Sequence, residues 1–450
     1  MGILLKGGTI ITEDKTFVGD LRIEGETIEA IGASITPVSG DEVIDVAGQY
    51  VLPGIIDAHV HYKMPIGKVY TIDNFDTGSR AALCGGVTTV IDYAEPVEGC
   101  DMLGSLDHRV KEASGHNFVD YSMHMTLSGD TPYSLDDIEK FKEYGVNSIK
   151  LYTTYDFILD YKSIEAILIK AAELDMVVTI HSEDNAIIQE KIEELKAEGK
   201  TAISYHAVSR PSVSETKAVE DLVDICEKNN VGVHIVHVSS GYTAELIEVA
   251  KKRGVKITAE TCPHYLMLNS EVYEGEDAPL FVMQPPLRTE AERQLLWEKL
   301  ISGTFDFITT DHCAYDHHQK FFSHTFYETN GGIPGTETLL PVMWSEGVSK
   351  GKITPEHLMK MLSENPAKTY GLYPKKGTLK VGSDGDIVVI DPLREVTISK
   401  DLIHTAADYS TFEGLSLKGY PVLTILRGKI AFNKGKFCLG DPEGQFVKIL

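Results

Sequence analysis

The run Val51-Leu-Pro-Gly-Ile-Ile-Asp-Ala-His-Val-His61 marks a change in the organisation of the chain. Before it, the first fifty residues predict short strands separated by Gly- and Asp-containing turns. After it, apolar strand-like runs alternate eight times with helical segments; the runs are 54–61, 88–94, 121–127, 148–154, 177–182, 232–239, 256–262 and 305–312. Eight β-then-α units predict an α/β fold, a (β/α)8 TIM barrel of parallel strands.

Strand-like pieces return near the C-terminus, after two further predicted helices at 337–348 and 355–363. We therefore expect a small β-sandwich domain, formed by the N- and C-terminal segments, beside one barrel. The predicted segments are 1–52 for the first part of this domain, 53–370 for the barrel, 371–435 for the second part and 436–450 for a C-terminal tail. Two S/T-x-x-E patterns, Ser212 to Glu215 and Thr289 to Glu292, predict helix capping boxes.

Composition narrows the class of protein. With 42 basic and 67 acidic residues the formal net charge is 42 − 67 = −25, which disfavours a nucleic-acid or anionic-membrane partner. No apolar run reaches the length of a membrane span. The six cysteines are scattered without a CxxC pair, a pattern that favours buried thiols in a reducing cytoplasm over a disulfide framework.

Polar residues at the ends of apolar strands are the first functional signal. In His59-Val-His61 the two imidazoles project to the same side of the strand, because side chains alternate faces. Active-site groups of a barrel come from the C-terminal ends of its strands, so this pair can chelate an ion at the barrel mouth. On its own, H-x-H is equally compatible with a merely polar strand end.

Lys150 lies within the fourth apolar run. It is either a lysine that extends to the barrel rim, or a neutral amine whose pKa is lowered by burial. A neutral amine can add carbon dioxide, and the resulting carbamate is a carboxylate able to bridge two cations.

The remaining strand ends supply His181, His237 and Asp311. By parity His234 faces the other side of its strand and is expected in the core, while His312 is expected to orient loops or substrate. Two histidines from one strand, a lysine, two further histidines and an aspartate at five strand ends together predict a metal centre.

Together these residues resemble the cyclic amidohydrolases, the branch of the amidohydrolase superfamily that contains hydantoinases, dihydropyrimidinases, allantoinases and dihydroorotases. The resemblance spans nearly the whole chain, and the sequence is most similar to D-hydantoinase and phenylhydantoinase-like members. The motifs are Gly54-x-x-Asp57-x-His59-x-His61, the Lys150 strand, His181, His237-Val-Ser, Glu260-Thr-Cys-Pro-His, Pro285-Pro-Leu-Arg288, Thr310-Asp311-His312-Cys and Gly382-Ser-Asp-Gly-Asp-Ile-Val.

The resemblance implies two divalent cations, most often zinc, and a role for each matching position. His59 and His61 would bind the more buried ion, His181 and His237 the more exposed one, carboxylated Lys150 would bridge them, and Asp311 would complete the first. A hydroxide shared by the ions would attack the ring amide. Tyr155 would stabilise the oxyanion, and Asp311 would move the proton. The resemblance also implies that Gln284 and Asn330 contact the substrate and that the protein is a homotetramer.

Several alternatives remain open. Allantoinase or dihydroorotase activity is one, although these enzymes lack a tyrosine at the position of Tyr155. The segment beginning Ile333-Pro-Gly-Thr is more similar to those two groups. Gln284 stands where hydantoinases commonly have Ser, and Lys63 stands where dihydroorotases have Arg. A non-catalytic scaffold and a mononuclear deaminase are more distant alternatives, since every ligand position is filled and a deaminase does not need Lys150.

Overall fold

The computed structural model describes residues 2–66 and 69–449. The chain opens with five strands of an outer sheet: β1 (Ile3–Ile11), β2 (Thr16–Glu24), β3 (Thr27–Gly32), β4 (Glu42–Asp45) and β5 (Tyr50–Pro53). The first barrel strand and a short hairpin follow: β6 (Ile55–Val60), β7 (Pro65–Ile66) and β8 (Val69–Tyr70).

The predicted barrel is confirmed. Its other strands are β9 (Val87–Ala94), β10 (Asp120–Thr126), β11 (Ser148–Tyr152), β12 (Val177–His181), β13 (Val233–Ile235), β14 (Ile257–Thr261) and β15 (Phe307–Ile308). All pairs are parallel, in the order in which the chain runs from β6 to β15. The barrel closes beyond the end of β15, where the amide of His61 donates to the carbonyl of His312 at 2.7 Å.

Helices follow each barrel strand and cover its outer surface. They are α1 (Phe75–Cys84), α2 (Met102–Ala113), α3 (Leu135–Tyr144), α4 (Tyr161–Glu173), α5 (Asn185–Ala197), α6 (His206–Ser209), α7 (Ser212–Asn229), α8 (Gly241–Lys252), α9 (Pro263–Met267), α10 (Glu290–Ile301), α11 (His317–Lys320), α12 (Leu339–Met343), α13 (Pro355–Met359) and α14 (Asn365–Thr369). Short 3-10 turns lie at Ile203–Tyr205, Ser270–Glu274, Ala278–Phe281 and Thr336–Thr338, and π-helical turns at Trp344–Ser349 and Lys360–Glu364. Among the described residues no helix is both long and apolar enough to cross a membrane.

One of the two predicted capping boxes is present. Thr289 caps α10 and exchanges hydrogen bonds with Glu292. The prediction for Ser212 and Glu215 is wrong, because α7 begins after Pro211 without a side-chain cap. Glu215 instead accepts from the backbone amides of Ser239 and Ser240, which would otherwise be buried without a partner beyond β13.

The chain ends in four more strands of the outer sheet: β16 (Ile387–Thr397), β17 (Ser416–Leu426), β18 (Lys429–Asn433) and β19 (Lys436–Phe437). β16 pairs with β5, so strands from both ends of the chain form one connected nine-stranded sheet. Residues from its two halves, such as Leu21 and Val389, share one apolar core. The predicted strand at 377–379 is irregular, although Leu379 packs into this core.

Candidate metal centre and active site

The four predicted histidine ligands lie together at the C-terminal ends of the barrel strands. His59 is in β6, His61 follows it, His181 ends β12 and His237 follows β13; all four are buried. Ring centroids are 5.2 Å apart for His59 and His61, 5.3 Å for His59 and His237, and 4.5 Å for His181 and His237. The barrel therefore brings side chains from three strands into one cluster.

Asp311, after β15, lies against this cluster. Its Oδ1 is 3.1 Å from the Nε2 atoms of both His59 and His61. His59 donates from Nδ1 to Glu260 at 2.6 Å, so a neutral imidazole presents the lone pair of Nε2 to the Asp311 carboxylate. Two acceptors at this distance repel each other unless a positive charge lies between them. Burial alone would lower the pKa of His59, but Asp311 and Glu260 raise it above its ordinary value, so this position stabilises a cation.

The donor atoms suit a divalent metal. Ligand atoms of His59, His237 and Asp311 lie within 4.8 Å of one another. His59 Nε2, His61 Nδ1 and His237 Nδ1 are buried and have no hydrogen-bond partner among the described residues. Buried imidazole nitrogens normally find a partner, and imidazole with carboxylate is a donor set that zinc and related ions prefer.

Lys150 points into the barrel from β11 and is only 1% exposed. Its Nζ lies 5.0 Å from the ring centroids of Tyr93 and Tyr152 and forms no salt bridge with any carboxylate that the structure describes. Burial lowers the pKa of this amine to about 8. Its charge acts on all four histidines of the cluster, and at each of them it lowers the pKa.

Two carboxylates to which the sequence assigned no individual role accept hydrogen bonds from the histidines. Glu260, at the end of β14, accepts from His59 and, at 3.2 Å, from His234. Glu183 accepts from His181 Nε2 at 2.7 Å. A carboxylate behind a ligating histidine fixes the imidazole tautomer and ring orientation. The spacing His181-Ser-Glu183 was the one available signal for Glu183, whereas Glu260 acts across strands.

Arg210 completes this arrangement and had no signal in the sequence. Its guanidinium contacts Glu183 from Nε at 3.1 Å and lies 5.4 Å from the centre of the Tyr155 ring. Burial opposes ionisation of Glu183, but Arg210 and His181 outweigh it, and the pKa of Glu183 falls well below its usual range. Glu183 is therefore an anion that holds His181 in place.

Tyr155 lies at the mouth of the barrel, beside the predicted exposed-metal pair. Its ring centroid is 5.1 Å from that of His181. Burial raises the pKa of the phenol well above its usual value, so the hydroxyl keeps its proton and can donate it in a hydrogen bond.

Three residues at the barrel mouth have a left-handed backbone. The φ angles are 78° at Tyr155, 39° at His237 and 50° at Asp311. Non-glycine residues adopt this conformation at a cost of about 1–3 kcal/mol each, and such strain concentrates at functional sites.

Loops around the mouth hold the other predicted residues. The side chain of Gln284 lies against Gly331, where an added Cβ would be 2.6 Å from its Oε1. Asn330 donates from Nδ2 to the carbonyl of Gln319 at 2.8 Å, so its side-chain amide is already engaged. Substrate contacts for Gln284 and Asn330 stay predictions.

His312 binds loops, as its position in the sequence predicts. Its Nε2 donates to Asp73 at 3.1 Å, and its Nδ1 accepts from the amides of Gly335 and Thr336. Lys63 forms an ion pair with Glu112 at 2.8 Å. Of the adjoining loop, Gly67 and Lys68 lie outside the described residues.

Comparison with known proteins agrees with this geometry. The profile of the amidohydrolase family matches residues 50–431. D-phenylhydantoinase of Escherichia coli is 36% identical over 452 residues, covering 100% of this chain and 98% of that protein. The crystal structure of a dihydropyrimidinase from Brevibacillus agri is 32% identical with a TM-score of 0.96, covering 100% of this chain and 99% of that one.

A second solved structure, a D-hydantoinase from a Thermus species, is 34% identical with a TM-score of 0.96 and covers 99% of both chains. The L-hydantoinase of Arthrobacter aurescens is 27% identical with a TM-score of 0.92, covering 99% of both chains. With a family match over most of its length and relatives that align from end to end, this chain belongs to the amidohydrolase family.

Proposed function

We propose that this protein hydrolyses the ring amide of hydantoins and dihydropyrimidines with two divalent metal ions, most often zinc. The observation that carries the proposal is the convergence at one barrel mouth of four buried histidines, Asp311 and a buried lysine that forms no salt bridge within residues 2–66 and 69–449. The similarity to proteins named D-phenylhydantoinase, D-hydantoinase and dihydropyrimidinase supports cyclic amides as the substrate class.

In this proposal six side chains hold the ions: His59, His61, Lys150, His181, His237 and Asp311. Burial keeps part of the Lys150 amine neutral. The neutral amine bonds to the carbon of CO2 and releases one proton, and the lysine becomes an anionic carbamate whose oxygens would hold the ions.

When bound, the ions supply Lewis acidity, which lowers the pKa of water towards neutrality and polarises a carbonyl. Asp311 accepts the proton of the attacking water and delivers it to the ring nitrogen as the C–N bond breaks. The Tyr155 hydroxyl donates a hydrogen bond to the carbonyl oxygen as its negative charge develops. Glu183 and Glu260 keep His181 and His59 oriented.

A panel of substrates tests the proposal. Enzyme prepared with zinc and bicarbonate is assayed on 5-phenylhydantoin, hydantoin, dihydrouracil, allantoin and dihydroorotate. We expect kcat/KM for hydantoins or dihydrouracil to exceed that for allantoin and dihydroorotate by about 100-fold or more. Preference for allantoin or dihydroorotate, or no ring opening at all, would refute it.

The substitution Lys150→Ala separates metal chemistry from folding. We expect it to abolish ring opening and to lower metal content, and a short carboxylic acid such as propionate to restore part of both by occupying the space of the carbamate. Full activity of this variant without added acid would rule out a bridging role for Lys150.

We also propose that the protein acts as a cytoplasmic homotetramer. The cysteines of the described chain are free and four of them are buried, which suits a reducing compartment. Large apolar side chains are exposed on or next to the outer sheet, with Val18 and Val381 66% exposed and Leu393 76% exposed, as expected for subunit contacts. Light scattering after gel filtration tests the assembly, and a monomer at micromolar concentration would contradict it.

A further inference from the structure

We propose that Cys84, Glu337 and His404 form a second, structural metal site, separate from the barrel mouth and suited to zinc. One ligand atom from each of the three side chains lies within 4.8 Å of the others. Thiolate, imidazole and carboxylate are all ligands of Zn2+, and three protein ligands leave a fourth position for water.

Three separate parts of the chain supply these residues. Cys84 ends α1, Glu337 lies in the 3-10 turn Thr336–Thr338, and His404 is in the loop between β16 and β17. The backbones approach closely here, since a Cβ on Gly85 would lie 2.3 Å from the carbonyl oxygen of Glu337. A metal at this place would fasten the outer-sheet loop to the barrel.

The burial of the Cys84 thiol without a hydrogen-bond partner among the described residues is the observation that points to a bound ligand. Cys84 is 1% exposed, and its Sγ makes no hydrogen bond with any residue that the structure describes. It faces a buried carboxylate and an imidazole, whereas a cysteine that only packs is usually surrounded by apolar groups. Burial raises the pKa of the Cys84 thiol, so metal binding would release its proton.

Glu337 and His404 already lie in direct contact, so a small separation of the two side chains would admit an ion. His404 Nδ1 is 2.7 Å from Glu337 Oε1, and the backbone amide of His404 donates to Oε2 at 2.6 Å. The His404 side chain is 37% exposed, which gives a metal ion a path to the buried thiol. The competing explanation is an ion pair between Glu337 and His404 that binds no metal and has a cysteine beside it by chance.

The site lies next to a loop that reaches the active site. Thr405 and the amide of Ala406, directly after His404, donate to Asp73. Asp73 accepts from His312, the neighbour of Asp311. Fixing His404 would therefore support the backbone on which Asp311 stands.

Cobalt substitution tests this site independently of catalysis. The full-length protein is stripped with a chelator and loaded with Co2+, because a cobalt–thiolate bond absorbs strongly in the near ultraviolet. The proposed ligands of the catalytic centre are nitrogen and oxygen atoms, so a thiolate band that depends on Cys84 reports on the second site. We expect the band in the wild type and in Lys150→Ala, whose catalytic centre is disabled.

Variants assign the band to its ligands. We expect Cys84→Ser to abolish the band. We expect His404→Gln, a change at a partly exposed side chain, to weaken cobalt binding at least tenfold. Cys226→Ser, a matched buried thiol in α7, and Cys438→Ser, a nearby exposed thiol, should keep the band.

No band in the wild type, or a band that survives Cys84→Ser, would overturn the site. Loss of ring opening with the band retained would refute only the proposed function. The two proposals therefore fail separately.

Discussion

At the scale of single residues, three buried lysines show how environment separates function from structure. Lys376 is surrounded by carboxylates, including Asp120 and Asp386, and remains charged. Lys320 donates to two backbone carbonyls, and burial lowers its pKa to about 7. Lys150 has neither kind of partner among the described residues. A buried amine without a direct salt bridge is costly, and chemical modification removes that cost.

The lowered pKa of Lys150 predicts the pH dependence of its activation. Because the folded-state pKa is about 8, below the usual 10.5, the protonated form that cannot add CO2 dominates only below pH 8. At a fixed concentration of dissolved CO2, we expect metal-free enzyme given zinc to regain activity about 20-fold faster at pH 8.5 than at pH 6.5. A rate independent of pH over this range would mean that the amine is not the reacting group.

The phenol of Tyr155 predicts a specific kinetic change. Tyr155→Phe removes one hydrogen-bond donor to the developing oxyanion and leaves the ring in place beside His181. We expect kcat to fall by about 100- to 1000-fold with KM changed little. Metal content serves as the control, because the substitution removes no predicted ligand. A rise in KM with unchanged kcat would show that Tyr155 only binds substrate.

At the scale of elements, the alternation of side chains on strands predicts part of the histidine cluster. His59 and His61 lie together, as the alternation predicts. The parity prediction for His234 is wrong, because it is in register with Thr179 and bonds to Glu260 inside the barrel. His237 reaches the cluster from beyond the end of β13, where its backbone is left-handed. Glu260 and Arg210 could not be predicted in the same way, because their partners come from other strands and distant loops. Glu215 was mistaken for a helix cap because local spacing hides its contact with the amides beyond β13.

Glu183, in the loop after β12, connects Arg210 to the predicted metal ligand His181. Glu183→Gln keeps the size of the side chain but removes the charge that holds His181 and pairs with Arg210. We expect affinity for the more exposed metal ion, which His181 would bind, to fall by about 10- to 100-fold. Titration with a chelator measures it, and excess zinc should restore activity.

Glu292→Gln is the matched control for this change. Glu292 is also a buried glutamate, but it caps α10 and lies outside the cluster. Equal loss of metal affinity in both variants would show that the effect of Glu183→Gln is general destabilisation.

At the scale of the whole molecule, the amidohydrolase barrel and the two-part outer domain were predictable, and both are confirmed. The repeat of strand and helix is a strong signal, whereas the course of the outer sheet depends on pairing between distant segments such as β5 and β16. The sheet extends to Phe437, inside the segment predicted as a tail, and Phe446 bridges to Tyr121 of the barrel. The exact segment boundaries stay a prediction.

A buried charge network joins the barrel to the outer sheet. Lys376 contacts Asp120 at the start of β10 together with Asp384 and Asp386 before β16. Lys376→Met would remove the cation that contacts all three buried carboxylates and would leave Arg427 on Asp120 and Lys375 on Asp384. We expect it to lower the free energy of unfolding by about 3–5 kcal/mol.

Denaturant unfolding measures this loss, and the neighbouring lysine provides the control. Lys375 pairs with Asp384 but is 58% exposed, so Lys375→Met should cost less than about 1 kcal/mol. Equal stability of the two variants would show that the network does not join the domains.

Anomalous diffraction at the zinc edge, from crystals grown with zinc and bicarbonate, tests the metal centre most directly. The binuclear assignment predicts two peaks at the barrel mouth, one beside His59 and His61 and one beside His181 and His237, with carboxylated Lys150 between them. A single peak, or an unmodified Lys150 directed away from both histidine pairs, would contradict it.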